Sequence, residues 1–170
     1  MCCTANAVAN FFIEKSLEYN TPLTHLQIQK MIFFAHAVYF KKYHKPLIVD
    51  PVFAWKYGPV IQNLYFQLKD YGESPITKKI TIPAIAPYGD GLILKTPEVN
   101  PKNTELIDFL MRAYNTLGKM TGGQLCALSH AKGGAWYKTL EDLKIDPTLE
   151  NPRIPRNLVI LDATIMECGR

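Results

Sequence analysis

Thr24-His25-Leu26-Gln27-Ile28-Gln29-Lys30-Met31-Ile32-Phe33-Phe34-Ala35-His36-Ala37-Val38-Tyr39-Phe40 is apolar on nearly every side of a helix, and that reading decides the fold. A helix apolar all round belongs in the middle of a globule, because no single face is left to meet water. Thr24 with Gln27 three residues on is a capping-box pattern, so the helix is expected to start there and to run to about Tyr43. At about 100° per residue its polar positions fall into two narrow stripes. One holds Gln27, Lys30 and Lys41, the other His25, Gln29 and His36. Such stripes face solvent or bond the backbone of a neighbour, or else one of them lines a groove. Lys30 is the more suggestive member, since a lysine deep in a central helix must snorkel or find a partner.

Downstream, Ala54-Trp55-Lys56-Tyr57-Gly58-Pro59-Val60 sets two aromatics and a lysine directly before Gly-Pro. Phe53, Trp55 and Tyr57 alternate with Val52, Ala54 and Lys56, so an extended segment would present the aromatics on one face. Gly58-Pro59 is expected to stop that strand and to open a helix at Pro59 that ends near Tyr71, before Gly72. Its buried positions would be Val60, Leu64, Leu68 and Tyr71. Upstream, Thr4 can cap a first helix to about Tyr19 with Ala5, Val8, Ala9, Phe12 and Ser16 on one stripe.

Residues 75–99 change character. Ile80, Ile82 and Ala84, then Leu92 and Leu94, alternate around the turn cluster Pro87-Tyr88-Gly89-Asp90-Gly91, which predicts a β-hairpin pairing with residues 52–57 into three strands. Asn100-Pro101 is expected to open a helix with Leu106, Leu110, Ala113 and Leu117 inward. Thr121 and Gln124 repeat the capping box before a short helix to Ser129-His130, and Trp136–Leu143 predicts another turn or two. Residues 156–168 close the chain as a helix burying Leu158, Leu161 and Ile165. The fold class expected is α+β, predominantly α-helical, a compact domain (1–170) around a buried central helix with a small antiparallel β-sheet or hairpin.

At 170 residues the chain is long enough to bury roughly 70% of its unfolded surface. The net charge of +4 is spread over scattered lysines and does not by itself point to nucleic acid. No apolar run reaches the roughly 18 residues of a membrane span, and Met1-Cys2-Cys3-Thr4 is unlike a secretion signal, so a cytoplasmic location without membrane association is expected. The cysteines Cys2, Cys3, Cys126 and Cys168 and the histidines His25, His36, His44 and His130 lack paired metal-ligand spacing. Neither a metal nor a cofactor is expected.

No phosphate-cradling glycine motif is present. Gly122-Gly123 more often permits a turn than binds an anion. Cys126 and His130 sit four apart on one helix face, the spacing of a thiol and its base, but nothing in the sequence orients the histidine or supplies an oxyanion hole. With no spaced pair of carboxylates either, the sequence does not read as an enzyme.

Leu26–Ala35 resembles a helix of the Panacea (SocA-like) antitoxin domain, also seen in phage-associated GepA-like proteins, and Ala54–Val60 resembles that family's most diagnostic motif. Tyr65, Tyr71-Gly72, the opening Ala5-Asn6 through Phe12, and Ser129-His130 followed by Trp136 match its remaining elements in order over about residues 5–168. Ser129 stands where the family usually has threonine and Ala135 where it has proline, while residues 75–99 are the least family-like. The resemblance implies a bacterial antitoxin that neutralises a cognate toxin by binding it directly. It leaves no residues for a separate DNA-binding domain, so direct DNA binding is not expected, and self-association is left open. Two other classes stay open: a phage or mobile-element accessory protein that binds a host protein or acts as a proteolytic adaptor, and an RNA-associated module.

In this framework Gln27, Trp55, Tyr57, Gly58, Pro59 and His130 are expected to be structural, with Trp55 largely buried and its indole N–H bonded. Lys30 and Lys56 are expected near one groove, where they would hold an acidic patch of a partner. Tyr65, Tyr88, Trp136 and Tyr137 are candidate anchors, and the loop carrying Tyr88 and Asp90 is the expected partner-specific contact.

Overall fold

The computed structural model of the protein describes residues 2–87, 89 and 91–166, with only the backbone of Ile165 and Met166. Helix α1 (Ala5–Glu18) is capped by Thr4, and α2 (His25–Tyr43) opens on the complete Thr24/Gln27 box and ends at His44 in the left-handed conformation. Antiparallel strands β1 (Val52–Trp55) and β2 (Gly58–Ile61) lead into α3 (Gln62–Leu68), which tightens into a 3-10 turn over Lys69–Tyr71. A second hairpin, β3 (Ile82–Ile85) with β4 (Leu92–Lys95), precedes α4 (Thr104–Leu117), α5 (Gly122–Ser129), α6 (Ala135–Leu143) and α7 (Arg156–Val159). A 3-10 segment, Ile160–Met166, follows. This is the helical α+β domain expected.

Helix α2 is the hub. It packs against α1, α3, α4, α5, β2 and the 3-10 segment. Ile28, Met31, Ile32, Phe33, Ala35 and Ala37 are completely buried. Phe12 of α1 and Leu110, Ala113 and Leu117 of α4 join the same core. Each such large side chain contributes roughly 1.5–3 kcal/mol by leaving water.

Several expectations need correction. Gly58-Pro59 does not stop the strand but reverses it: Trp55 pairs with Gly58 and Ala54 with Pro59. Lys56 and Tyr57 keep negative φ, and the positive value (+94°) falls on Gly58, as in a type I turn closed by a glycine bulge. The helix therefore starts at Gln62, since Pro59–Ile61 are still needed in the strand. The buried face of β1 is Val52 and Ala54, not the aromatics, and Tyr57 stands exposed in the turn. The two hairpins are separate sheets. The segment that lies along β1 is Pro152–Ile154, through Ala54 N–H to the Pro152 carbonyl (2.8 Å) and Ile154 N–H to the Val52 carbonyl (2.8 Å). Asn103, not Asn100, caps α4, because Asn100 closes a turn on Lys102 instead. The closing helix is mostly 3-10, and three residues per turn rotates its buried face to Val159, Asp162 and Ala163. Leu158 is half-buried, Leu161 is exposed, and the Ile165 side chain lies outside the described residues.

Buried polar side chains hold irregular backbone where no strand can. Asn10 donates to the Ile80 (2.9 Å) and Pro97 (2.8 Å) carbonyls and accepts from Ile80 N–H (2.7 Å), joining α1 to both approaches of the second hairpin. His36 Nδ1 accepts from Leu47 N–H at 3.2 Å, and burial first, then the Arg156 charge, pushes its pKa down to about 4. Asp162 accepts the Ala135 N–H at the start of α6 (2.8 Å), and burial pushes its carboxyl up to about 6.

These two groups have opposite linkage. For His36 the unfolded chain takes its proton first, so stability present above pH 6.5 is lost as the pH falls from 6.5 to about 4. For Asp162 the folded state takes its proton first, so stability is gained as the pH falls from about 6 to 3.8. At about 1.4 kcal/mol per pKa unit, each contributes about 3 kcal/mol. In urea titrations between pH 6.5 and 4, the wild type should therefore show little change from this pair. Asp162→Asn, in which the His36 loss is no longer offset, should fall by about 3 kcal/mol more than wild type over that range. Parallel pH profiles for the two proteins would contradict this account.

Candidate functional site

The β1–β2 turn sits in a nest of side chains from three helices. Lys30, only 1% exposed, sends its Nζ to the carbonyls of Tyr57 (2.7 Å) and Pro59 (3.0 Å). The preceding residue, Gln29, donates to the Ile61 carbonyl (3.2 Å) and accepts Ile61 N–H (3.0 Å), completing a strand that among the described residues has no third neighbour on that side. From α5, Cys126 Sγ approaches the Tyr57 carbonyl at 3.6 Å. His130 Nε2 lies 3.5 Å from the Lys56 carbonyl, and its ring packs on Trp136 with centroids 4.2 Å apart. Trp136 donates its indole N–H to the Trp55 carbonyl at 2.8 Å. Thus Ala54–Val60 and the later Ser129-His130 and Trp136, far apart in sequence, form one structural unit.

Gly58 is at the centre of that nest. A Cβ there would lie 2.5 Å from Lys30 Nζ, 2.7 Å from Ser129 Oγ and 3.0 Å from His130 Cε1. Both the backbone angle and the space admit glycine alone. The thiol–base reading of Cys126 and His130 meets a specific obstacle. The two atoms are 3.8 Å apart, but His130 Nδ1 is 2.7 Å from the Cys126 carbonyl, an acceptor, so that nitrogen carries its proton.

Beside the turn opens a cleft of about 530 Å³ between α2, the β1–β2 hairpin, α3 and the loop that supplies Pro147, Thr148 and Asn151. One wall is an aromatic row: His25 lies 5.2 Å from Tyr65, and Tyr65 lies 4.9 Å from Trp55, centroid to centroid. Lys30, Lys56 and Tyr57 belong to the same lining, which among the described residues contains no aspartate or glutamate, although Asp146, next to the lining residue Pro147, interacts electrostatically with Lys56. Burial lowers the Lys30 pKa to about 8, leaving it largely charged at neutral pH, and among the described residues no carboxylate pairs with it. Lys56, exposed, lies over the Tyr57 ring at 5.4 Å.

Trp55 departs from expectation. It is half-buried, and its Nε1 has no hydrogen-bond partner among the described residues, the donor of the pair being Trp136 instead. The turn begins immediately after Trp55, which leaves the side chain on the cleft wall rather than in the core. His25 Nε2 is likewise buried without a partner. An unmet group of this kind costs about 1–3 kcal/mol.

The structure thus brings Lys30, Lys56, Trp55, Tyr57 and Tyr65 into one cleft, while Trp136 packs behind the turn on His130 and Tyr137 is half-buried on α6. Gln27 completes the α2 cap and donates to the Met120 carbonyl (2.9 Å), tying α2 to the entry of α5. Tyr88 and Asp90 lie outside the described residues. Sequence reasoning missed the cleft's fourth side. Its signals were the turn pairs Asp146-Pro147 and Asn151-Pro152, which mark a loop but not what it covers.

A family profile described as antitoxin SocA-like, Panacea domain, matches residues 28–137, from the second turn of α2 into α6. The antitoxin SocA of Caulobacter vibrioides (strain NA1000 / CB15N) is 32% identical over 133 residues, covering 78% of this chain and 68% of that protein. No solved structure matches the chain.

Gly58→Ala should lower stability by about 3 kcal/mol or more, from strain at positive φ plus displacement of the Lys30 ammonium. Gly89→Ala, also at positive φ but with open space around it, should cost only the conformational part, about 1 kcal/mol. Equal losses in chemical denaturation would show that the nest around Gly58 contributes nothing.

Proposed function

The chain belongs to the SocA-like, Panacea-domain antitoxin family, and on that premise we propose that it neutralises a cognate toxin by direct, non-enzymatic binding. The observation that carries the binding mode is the β3–β4 hairpin. Leu92 (79% exposed), Ile85 (77%) and Leu94 (72%) stand in water on a sheet of two strands, with no third strand among the described residues hydrogen-bonded to either edge. Natural proteins blunt or cover such edges, and a partner is one way of covering them. An exposed apolar sheet on a rigid helical body can bind by strand addition and by side-chain packing together. A stable complex would bury roughly 1,200–2,000 Å² in all, more than the hairpin alone offers, so neighbouring surface must contribute.

The helical scaffold and the hairpin then have separate tasks. The scaffold is held by α2 and its clamps, whereas the hairpin hangs from it through Asn10, which bonds its approaches rather than its strands. Among the described residues no helix is long and apolar enough to cross a membrane. A largely apolar contact also separates this reading from nucleic-acid binding, whose affinity falls steeply with salt.

Co-expression with the neighbouring gene product tests the proposal. Leu92→Ser with Leu94→Ser should abolish rescue of growth while changing stability by no more than about 0.5 kcal/mol, because neither side chain is buried in the isolated protein. Wild-type rescue by that variant would remove the hairpin from the interface, and a harmless neighbour would count against toxin neutralisation itself. Toxin abundance distinguishes the two modes: it should persist under direct inhibition, and would fall if the protein delivered the toxin to a protease.

A further inference from the structure

The two edges of the β3–β4 hairpin are not equivalent. Next to the strands, Ala86 N–H donates to the Gly91 carbonyl (2.9 Å), so these two residues face each other with backbone groups inward. The register Ile82↔Lys95, Pro83↔Leu94, Ala84↔Ile93 and Ile85↔Leu92 carries the alternation of an antiparallel ladder onward from there. Ile82 and Ala84 on β3, with Ile93 and Lys95 on β4, therefore bond across the hairpin. Pro83 and Ile85, with Leu92 and Leu94, turn their backbone groups outward to the free edges.

On β3 the outward set is blunted. Pro83 has no N–H to give, which leaves Ile85 as the donor of that edge. On β4 both the donors and the acceptors of Leu92 and Leu94 are intact, and nothing among the described residues bonds them. Natural proteins blunt exposed edges with proline or charge, or cover them. Here one edge carries the proline and the other is left open. The open edge is also apolar, and Lys95 is the only charged residue of either strand. Lys95 is exposed and forms no ion pair among the described residues.

We propose, resting on the toxin-binding reading above, that the toxin docks an extended segment as a third strand on the free edge of β4, apolar beside Leu92 and Leu94 and acidic beside Lys95. In strand addition of this kind, main-chain hydrogen bonds give affinity and alternate side chains give specificity. The added strand would meet the outward groups of Leu92 and Leu94 and extend the apolar face that Ile85 begins. Charge complementarity at Lys95 favours such a segment over a second copy of β4. Pairing Leu92 of one copy with Leu94 of another sets Lys95 against Gly91, with no carboxylate opposite it.

Amide hydrogen exchange of the full chain, alone and saturated with the neighbouring gene product, tests the assignment. The Leu92 and Leu94 amides should exchange freely in the isolated chain and slow at least about tenfold in the complex, while the Ile85 amide keeps its rate. Affinity gives a second readout. Leu94→Pro, which copies onto β4 the proline already tolerated opposite it, should bind at least about tenfold more weakly than Leu94→Ala. Unchanged exchange at Ala84 and Ile93 would verify that its hairpin is intact. Ile85→Pro should bind as Ile85→Ala does, and Lys95→Glu should weaken binding several-fold, more so at low salt. A complex in which Leu92 and Leu94 still exchange freely, or in which Ile85 is protected instead, would overturn the proposal while leaving toxin binding intact. Equal affinity of Leu94→Pro and Leu94→Ala, or no effect of Lys95→Glu, would do the same. Protection that appears in the chain alone and rises with its concentration would give the edge to a second copy and overturn the proposal too. Failure of the wild type to form any complex would overturn the toxin-binding reading itself, and this proposal with it.

Discussion

The Lys30 ammonium on the carbonyls of Tyr57 and Pro59 is the interaction from which the rest of the domain takes its shape. A two-stranded hairpin is marginal alone, since half its backbone groups have no strand to pair with. Here α2 stands in for the missing strand. Gln29 meets Ile61 through both amide atoms, and Lys30 closes the turn, so side chains of the central helix complete the ladder. Burying an ammonium on neutral acceptors opposes folding, as its lowered pKa shows. The surrounding apolar packing of α2 must offset that cost.

The same device recurs around the core. Asn10 secures the approaches to the second hairpin, His36 receives the Leu47 amide, and Asp162 accepts the first amide of α6. Each is a buried polar side chain spent on irregular backbone, which must find partners wherever water is excluded. This explains how a helical domain carries two small hairpins without building a continuous sheet. It also makes the fold depend on a few titratable groups whose charge states are set by burial.

On the proposed binding mode, stability and recognition are divided. Side chains of the diagnostic Trp-Lys-Tyr-Gly-Pro stretch face two ways: its backbone is gripped by Lys30, Cys126, His130 and Trp136, while Trp55 and Lys56 border the cleft. Residues that hold the turn are therefore poor candidates for partner contact, and surface exposed elsewhere, above all on β3–β4, is free for it. The structure also explains why Trp136 is not a free anchor: its indole N–H is already committed to the Trp55 carbonyl.

What the sequence by itself determined was the hub and its boundaries. An all-round apolar helix can only be central, and the Thr24/Gln27 and Thr121/Gln124 boxes are local contacts that need no tertiary partner to form. The second hairpin was legible for the same reason, as alternation around a glycine-rich turn. The course of Gly58-Pro59 was not. Taken locally, the pair ends a strand. Only the pocket formed by Lys30, Ser129 and His130, residues distant in sequence, makes a reversal there favourable. The pairing of β1 with Pro152–Ile154, the unpartnered Trp55 nitrogen and the cleft itself likewise come from segments meeting in space. Local periodicity and capping determine which residues become helix and strand. Which polar groups end up satisfied, and which are buried without a partner, depends on long-range packing that no window of sequence contains.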